Sequence, residues 1–109
     1  MREFIVVFVT VGSAAEGERL AQALVEERLA ACVNRIPNIQ SVYRWEGKVE
    51  QSGEELLVIK TGRQLFTALE KRVRDLHSYE VPEIIALPLI EGNEAYLRWL
   101  EEQVSSATS

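Results

Sequence analysis

The sequence predicts a mixed α+β domain, and three observations support that class. Two blocks, Phe4 to Val11 and Glu55 to Thr61, are rich in apolar residues, which is typical of strands buried on both faces. Two other segments repeat their apolar residues at helical spacing. The length of 109 residues fits one domain. We bound this domain at residues 1–104 and expect residues 105–109 to be a frayed tail.

The N-terminal part of the chain predicts a strand followed by a helix. The first strand covers Phe4 to Val11, and Gly12 ends it. Ser13 and Glu16 then have the spacing of a capping box, in which each residue satisfies a backbone N–H at the start of a helix. The apolar residues that follow keep helical spacing, so the first helix is predicted to run to about Leu29.

The middle of the chain predicts a long hairpin. An extended pattern runs from Cys32 to Ile36, is interrupted at Pro37-Asn38, and alternates from Ile39 to Trp45. Glu46-Gly47 is a signal for a tight turn, so the chain should return as a partner strand. Gln51 to Gly53 is predicted to bend or bulge that returning strand, because glycine often marks a bulge.

The C-terminal half predicts a helix, a strand and a last helix. Apolar residues from Leu65 to Leu76 recur at helical spacing, and the helix should stop near His77 because Pro82 lies ahead. Glu83 to Leu89 is predicted as the fourth strand, ended by its proline or just after it. Asn93 can cap the last helix, since its side chain can accept a hydrogen bond from a free backbone N–H.

The resulting order is βαββαβ followed by a terminal helix. Split βαβ units of this kind form an antiparallel sheet with both main helices on one face, the ferredoxin-like sandwich. The other face would have only the short C-terminal helix as cover, and the hairpin is long for a small domain. We therefore predict that the sheet pairs or packs with other subunits.

Composition excludes several classes of partner. The formal net charge is -5, whereas proteins that bind nucleic acid carry basic surfaces and anionic membranes attract basic segments. The single cysteine precludes an intramolecular disulfide, which fits a reducing compartment. The apolar run from Phe4 to Val11 is too short to span a bilayer and lacks a following cleavage site. We expect a cytoplasmic protein with no nucleic-acid or membrane partner.

Five stretches, in order along nearly the whole chain, carry a family resemblance: Ala23 to Asn34, Ser41 to Lys48, Ile59 to Thr61, His77 to Ile84 and Tyr96 to Leu100. They resemble the CutA divalent-cation tolerance family. The resemblance implies a homotrimer of ferredoxin-like subunits whose sheets extend across subunit boundaries, with an architecture akin to that of the PII signal-transduction proteins. It also implies a role in tolerance to copper and other divalent metals, without a required cofactor.

His77 and Cys32 are the candidate metal ligands, because imidazole and thiolate both bind copper. Copper ligation proposed for some family members uses a first-strand cysteine and two adjacent histidines. The corresponding positions here are Val9 and Leu76 beside His77, so only one residue of that set remains. The alternatives are that His77 caps the second helix as a cation and that Cys32 is a buried, inert thiol.

Five polar or aromatic residues at or near strand ends are candidates for a ligand-binding cleft between subunits: Tyr43, Trp45, Lys60, Tyr79 and Glu83. One lysine with aromatic hydroxyls could hold a small anion or a metal-bearing ligand, with Glu83 as a candidate partner of Lys60. The alternative is an interface network that only fixes the trimer. These residues also support a second functional hypothesis, a PII-like regulatory module that binds a small ligand or partner protein.

The sequence favours a protein without enzymatic activity. It has no glycine-rich phosphate loop and no nucleophile elbow. A catalytic triad would need His77 together with Asp75, which lies only two residues away at the same helix end. The first functional hypothesis is therefore a homotrimeric metal-tolerance protein that binds copper or another divalent cation weakly.

Overall fold

A computed structural model of the chain describes residues 3–105. The elements are β1 (Phe4–Val11), α1 (Ala14–Glu26), β2 (Cys32–Trp45), β3 (Lys48–Gly62), a short 3₁₀ helix (Arg63–Leu65), α2 (Phe66–Leu76), β4 (Ile84–Leu89) and α3 (Glu94–Ser105). The four strands form one antiparallel sheet in the order β2-β3-β1-β4. The fold is mixed α+β, as predicted. Ser105 is the last residue of α3, and residues 106–109 of the predicted tail lie outside the described residues.

The start of α1 uses the capping residues that the sequence predicts. The Ser13 hydroxyl accepts a hydrogen bond from the Glu16 N–H at 3.2 Å, and the Glu16 carboxylate reaches back to the Gly12 N–H at 3.4 Å. The helix then passes very close to β3: a Cβ added at Gly17 would lie 1.8 Å from a carboxylate oxygen of Glu55. Glycine at this position lets helix and sheet pack together.

The end of α1 differs from the prediction. The helix stops at Glu26 rather than near Leu29, because Arg28 adopts a left-handed conformation with φ 59°. The N–H groups of Leu29 and Ala30 both donate to the Leu24 carbonyl, which satisfies the free end of the helix. Leu29 still packs against the core, so its helical spacing reflects burial after a turn rather than continued helix.

The hairpin between β2 and β3 has the predicted turn. Glu46 and Gly47 both have positive φ values, 50° and 82°. Two consecutive residues of this kind match the right-handed twist of the flanking strands, which is why short hairpin turns favour them. The two strands pair continuously from this turn down to a single irregularity.

That irregularity is a bulge, and its position corrects the prediction of a bulge at Gln51 to Gly53. The register shifts instead between Ile36 and Ile39 of β2. Proline offers no N–H to the neighbouring strand at Pro37, and Asn38 has a positive φ of 62°. The interruption seen in the sequence at these two residues therefore bends one long strand instead of ending it.

The two faces of the sheet are covered differently. The main core lies between one face and the helices α1 and α2, and its fully buried members are Val7, Val9, Val11, Leu57 and Ile59 from the sheet with Leu20, Leu24, Leu69 and Val73 from the helices. The other face is covered at one end only, where α3 contributes to a second cluster of Phe4, Ala31, Leu65, Leu100 and Val104. Beyond α3 this face presents half-buried or exposed apolar side chains, called here the open face: Val6, Phe8, Leu56, Val58, Ile85 and Leu87.

The remaining boundaries follow the sequence closely. The α2 helix ends at Leu76, and Asn93 caps α3 by accepting a hydrogen bond from the Tyr96 N–H at 3.0 Å. Pro88 lies inside β4, which ends one residue later. A proline is tolerated there because β4 is an edge strand of the protomer's sheet. Among the helices within residues 3–105, none is long and apolar enough to cross a membrane.

Candidate functional site

The His77 ring is buried, and both of its nitrogens are engaged. Nε2 lies 2.7 Å from the Thr10 carbonyl oxygen, and Nδ1 lies 3.0 Å from the backbone nitrogen of Tyr79. A carbonyl only accepts and an N–H only donates, so in these two contacts Nε2 donates and Nδ1 accepts. The backbone N–H of His77 bonds to the Val73 carbonyl at 2.8 Å, so the residue ends α2 through its main chain. In this arrangement neither ring nitrogen is available to a metal ion.

Glu16 holds the segment that follows His77 in place through hydrogen bonds. Its carboxylate accepts hydrogen bonds from the Ser78 backbone N–H at 2.7 Å and from the Ser78 hydroxyl at 3.0 Å. His77 Nδ1 lies 3.5 Å from the same carboxylate. Burial alone would raise the pKa of Glu16, but the hydrogen bonds from Ser78, the nearby His77 ring and the hydrogen bond from Gly12 together outweigh burial, so the pKa is lowered overall. The first turn of α1 therefore holds the end of α2 in place through an ionised carboxylate.

Beside this anchored segment lies a cleft of about 520 Å³ between the β2–β3 hairpin and the chain after α2. Its lining consists of Thr10, Ser41, Val42, Tyr43, Trp45, Glu54, Tyr79, Glu80, Val81 and Glu83. The structure thus brings together four of the five predicted cleft residues within one protomer. The fifth, Lys60, lies elsewhere.

Lys60 is at the other end of the sheet. It pairs with Val6 of β1, four residues from Thr10, which lines the cleft; this separation is about 13 Å along the strand. The Lys60 ammonium group donates to the side-chain oxygen of Asn34. Within one protomer, Lys60 and Glu83 are therefore not paired, and their pairing across a subunit boundary stays a prediction. The physical reason is the register of β3, which fixes Lys60 far from the hairpin.

Cys32 and His77 are also far apart. Cys32 begins β2 and pairs with Lys60, and its sulfur lies 3.9 Å from the side-chain oxygen of Asn34. His77 contacts Thr10, so about 13 Å of strand again separates the two candidate metal ligands. Cys32 is partly exposed rather than fully buried. In the part of the chain that the structure describes, no three His, Cys, Asp or Glu residues are grouped to hold a metal ion.

The cleft is acidic and aromatic. Three carboxylates line it, those of Glu54, Glu80 and Glu83, and none of its lining residues is basic. The Tyr79 hydroxyl donates to Glu54 at 2.7 Å. Burial, and next the bond to Glu54, raise the pKa of Tyr79, so its hydroxyl remains a donor at neutral pH. The arrangement attracts cations and disfavours anions.

Sequence reasoning did not identify Glu54 as a cleft residue, although a signal existed. Once the Glu46-Gly47 turn sets the hairpin register, Tyr43 pairs with Glu50, and alternation places Glu54 on the same face. The Tyr43 hydroxyl lies 3.3 Å from that of Ser52, on this shared face. Glu80 carries no comparable signal, because it lies in a segment without regular structure.

The fold agrees with the comparisons to known proteins. A family model described as CutA1 divalent ion tolerance protein matches residues 5–103. The divalent-cation tolerance protein CutA of Thermus thermophilus is 54% identical over 97 residues, which cover 89% of this chain and 94% of that protein. The crystal structure of CutA1 from Oryza sativa superposes with a TM-score of 0.93 at 51% sequence identity, covering 94% of each chain.

A chloroplastic CutA protein of Arabidopsis thaliana is 53% identical over 97 residues, covering 89% of this chain and 53% of that protein. The chain thus spans about half the length of the plant relatives it matches. Family membership follows from the family-model match over residues 5–103 and from the 54% identity to the Thermus thermophilus protein, of which 94% is covered. This chain belongs to the CutA1 divalent ion tolerance family.

Proposed function

We propose that this protein acts in divalent-cation tolerance as a non-enzymatic homotrimer that binds divalent metal ions weakly. The observation that carries the proposal is the family match over residues 5–103. The acidic cleft supports it, because carboxylate oxygens are ligands for hard divalent cations. We further propose that the protein works in the cytoplasm, where the partly exposed Cys32 would stay reduced.

Two features of the sheet support a trimer of ferredoxin-like subunits. The strand order β2-β3-β1-β4, with every neighbouring pair antiparallel, is what two split βαβ units produce. The open face leaves Ile85 and Leu87 about half exposed, at 52% and 53%. Contiguous apolar surface of this kind is typical of protein interfaces. The strands β2 and β4 also leave two edges that neighbouring subunits could extend.

Weak binding is proposed because the donors are spread out. Cleft carboxylates such as Glu83 could contact a divalent ion together with water, as ions with few protein ligands do. His77 would have to give up two hydrogen bonds before its ring could bind a metal, and the break in the contact with Thr10 would leave a buried carbonyl unsatisfied. We therefore propose the cleft, rather than His77, as the first point of contact.

Competitive titration with Cu(I), Cu(II) and Mn²⁺ against chelators of known affinity tests this proposal. Glu83→Gln should weaken Mn²⁺ binding about thirtyfold, since one unit charge about 4 Å from a divalent ion in water contributes about 2 kcal/mol. His77→Gln and Cys32→Ser should leave that affinity unchanged. The matched control is Glu18→Gln, an exposed carboxylate on α1 outside the cleft lining. Tight copper binding that His77→Gln abolishes would overturn the assignment to the cleft, and absence of binding to all three ions would overturn the metal-binding proposal.

The alternative, a PII-like module that binds a small ligand or partner protein in the inter-subunit cleft, has less support where the ligand is an anion. It depends on Lys60 as the cation that would attract the ligand, and Lys60 lies outside the cleft, bonded to Asn34. The cleft's own carboxylates would repel an anion. The charge of the cleft therefore favours the first proposal.

A further inference from the structure

We propose that His77 is a proton-operated switch, in which the Nδ1 atom of its ring exchanges one hydrogen-bond partner for another. Without a proton, Nδ1 accepts a hydrogen bond from the Tyr79 backbone N–H. With a proton, it donates to the carboxylate of Glu16, which lies beside it. The exchange releases the backbone of Tyr79 while Ser78, the residue before it, stays anchored. The switch requires neither a trimer nor a bound metal ion.

Both partners of Nδ1 are within reach of it. The Tyr79 backbone nitrogen lies 3.0 Å away, and a carboxylate oxygen of Glu16 lies 3.5 Å away. A ring nitrogen accepts a hydrogen bond through its free lone pair, and once protonated it can only donate. The Tyr79 N–H is itself a donor, so it must leave Nδ1 when a proton binds there. Nε2 faces the Thr10 carbonyl at 2.7 Å and donates in both states, which holds the ring in place.

The Glu16 carboxylate can accept the new hydrogen bond without losing those it has. Burial acts to raise the pKa of Glu16, yet its hydrogen bonds and the nearby ring lower that pKa from 4.5, so the group is ionised where imidazoles take up protons. The oxygen beside Nδ1 already accepts from the Ser78 N–H at 2.7 Å. A carboxylate oxygen has a second lone pair for Nδ1–H. Proton uptake then joins an imidazolium to a carboxylate, so neither charge is buried without a partner.

The groups around the ring belong to one protomer. The His77 side chain has no exposed surface there, so association of protomers does not change its contact with solvent. On the β1 side the ring meets the uncharged Thr10 carbonyl. The titratable and charged groups near it are Glu16 of α1, Tyr79, Glu54 of β3 through the Tyr79 hydroxyl, and the exposed Arg74 and Asp75 of α2 itself. Glu16 is the carboxylate that approaches a ring nitrogen, and it therefore receives the proton's hydrogen bond.

Release of the Tyr79 backbone acts on the β2–β3 hairpin. The Tyr79 hydroxyl donates to Glu54 of β3 at 2.7 Å, which ties the segment after α2 to the hairpin. The position of the Tyr79 backbone, on which this contact depends, is fixed by Nδ1 of His77. When Nδ1 turns to Glu16, the Tyr79 N–H is left to water, whereas Ser78 keeps its two hydrogen bonds to Glu16. Proton uptake therefore loosens the chain from Tyr79 onward and leaves the end of α2 in place.

An NMR titration of the ¹⁵N-labelled full chain from about pH 8 to about pH 5 tests the proposal. His77 is the only histidine, so its ring signals need no assignment. The ring should take up a proton at Nδ1 within this range, and the Tyr79 amide signal should shift with the same midpoint. Hydrogen-exchange protection of the Tyr79 amide, corrected for the intrinsic pH dependence of exchange, should fall about fivefold for the loss of one hydrogen bond. The Ser78 amide should keep its protection.

Two carboxylate variants separate the switch from general effects of charge. Glu16→Gln removes the anionic acceptor, so the ring should take up its proton at a lower pH than in the unmodified protein. Glu18→Gln, an exposed residue on the same helix, is the matched control and should leave the transition unchanged. His77→Gln should remove the pH dependence of the Tyr79 amide over this range.

Three results would overturn the proposal: a ring that takes up no proton above about pH 5, a Tyr79 amide that does not follow the ring, or a transition that Glu16→Gln moves no further than Glu18→Gln. The first two come from the unmodified protein and decide the matter even if a variant fails to fold. None of them depends on copper, Mn²⁺ or the oligomeric state, so failure here is distinguishable from failure of the proposed metal-tolerance function.

Discussion

The two faces of the sheet carry similar apolar residues, but helices cover one face and leave most of the other in contact with solvent. On the face covered by α1 and α2, Val7, Leu57 and Ile59 have no exposed surface. On the open face, Ile85 and Leu87 keep about half of their surface in contact with solvent. The residue types on the two faces are alike, so the difference in exposure arises because α1 and α2 cover only one of them. The comparison teaches that apolar strand residues on the covered face fold the protomer, whereas those on the open face would serve the proposed association of protomers.

The contrast is sharpest between neighbours on one strand. Leu57 is fully buried, whereas Leu56 is only partly buried, because successive side chains of a strand point to opposite faces. The protomer's own helices reach only the first of these residues. If the open face lies in a subunit interface, substitutions of the two leucines should be separable by experiment.

The largest effect is expected from a charge on the open face. Leu87→Glu should convert the proposed trimer to monomers, because burying an unpaired carboxylate costs about 4 kcal/mol per copy. Size-exclusion chromatography with light scattering measures the change. Val25→Glu, a partly exposed apolar position on α1, is the control and should keep the trimer. A monomeric unmodified protein would contradict the role given to the open face.

A smaller effect is expected from truncations on the two faces of β3. Leu57→Ala should lower the free energy of unfolding by about 3 kcal/mol at every protein concentration, because it leaves a cavity in the core. Leu56→Ala should instead make stability depend more strongly on protein concentration, since it weakens association. Denaturant unfolding over a hundredfold range of protein concentration distinguishes the two. If the stability of both variants depended on protein concentration in the same way, the two faces would not differ in their role in association.

Much of this architecture could be predicted from local sequence. The block Phe4 to Val11 forms a strand over the same residues, and the Glu46-Gly47 turn and the Asn93 cap are where the sequence indicates them. Each of these signals acts within a few residues through backbone conformation or a single side-chain hydrogen bond. Such signals are readable without knowledge of the tertiary contacts.

The errors lie where distant segments decide the outcome. The bulge at Pro37-Asn38 shifts the register of β2 on β3, so that Ile36 pairs with Leu56 and Ile39 with Glu54. The α1 helix ends early at the left-handed Arg28, and Leu29 packs on the core from outside the helix. Packing of this kind is not encoded in a short window. The aromatic members of the cleft could be proposed from residue type and Glu54 from the register of the Glu46-Gly47 turn, whereas Glu80, in a segment without regular structure, could not.

The smallest of these effects is expected from the hydrogen bonds by which Glu16 of α1 holds the segment after α2, at one end of the covered face. Glu16→Gln should lower the free energy of unfolding at pH 7 by about 2 kcal/mol, because a charged acceptor of two hydrogen bonds is replaced by a neutral one. Glu18→Gln, an exposed residue on the same helix, should change it little.

The pH dependence of the free energy of unfolding tests these hydrogen bonds of Glu16 more sharply. The pKa of Glu16 is lowered from its ordinary value of 4.5, so its contribution to stability is complete above about pH 4.5 and is lost as the pH falls through the lowered value. Denaturant unfolding from pH 7 downward should therefore show a shallower acid loss in Glu16→Gln than in the unmodified protein. An unchanged acid slope would mean that Ser78 does not hold an ionised carboxylate, and the covered face would then depend on apolar packing alone.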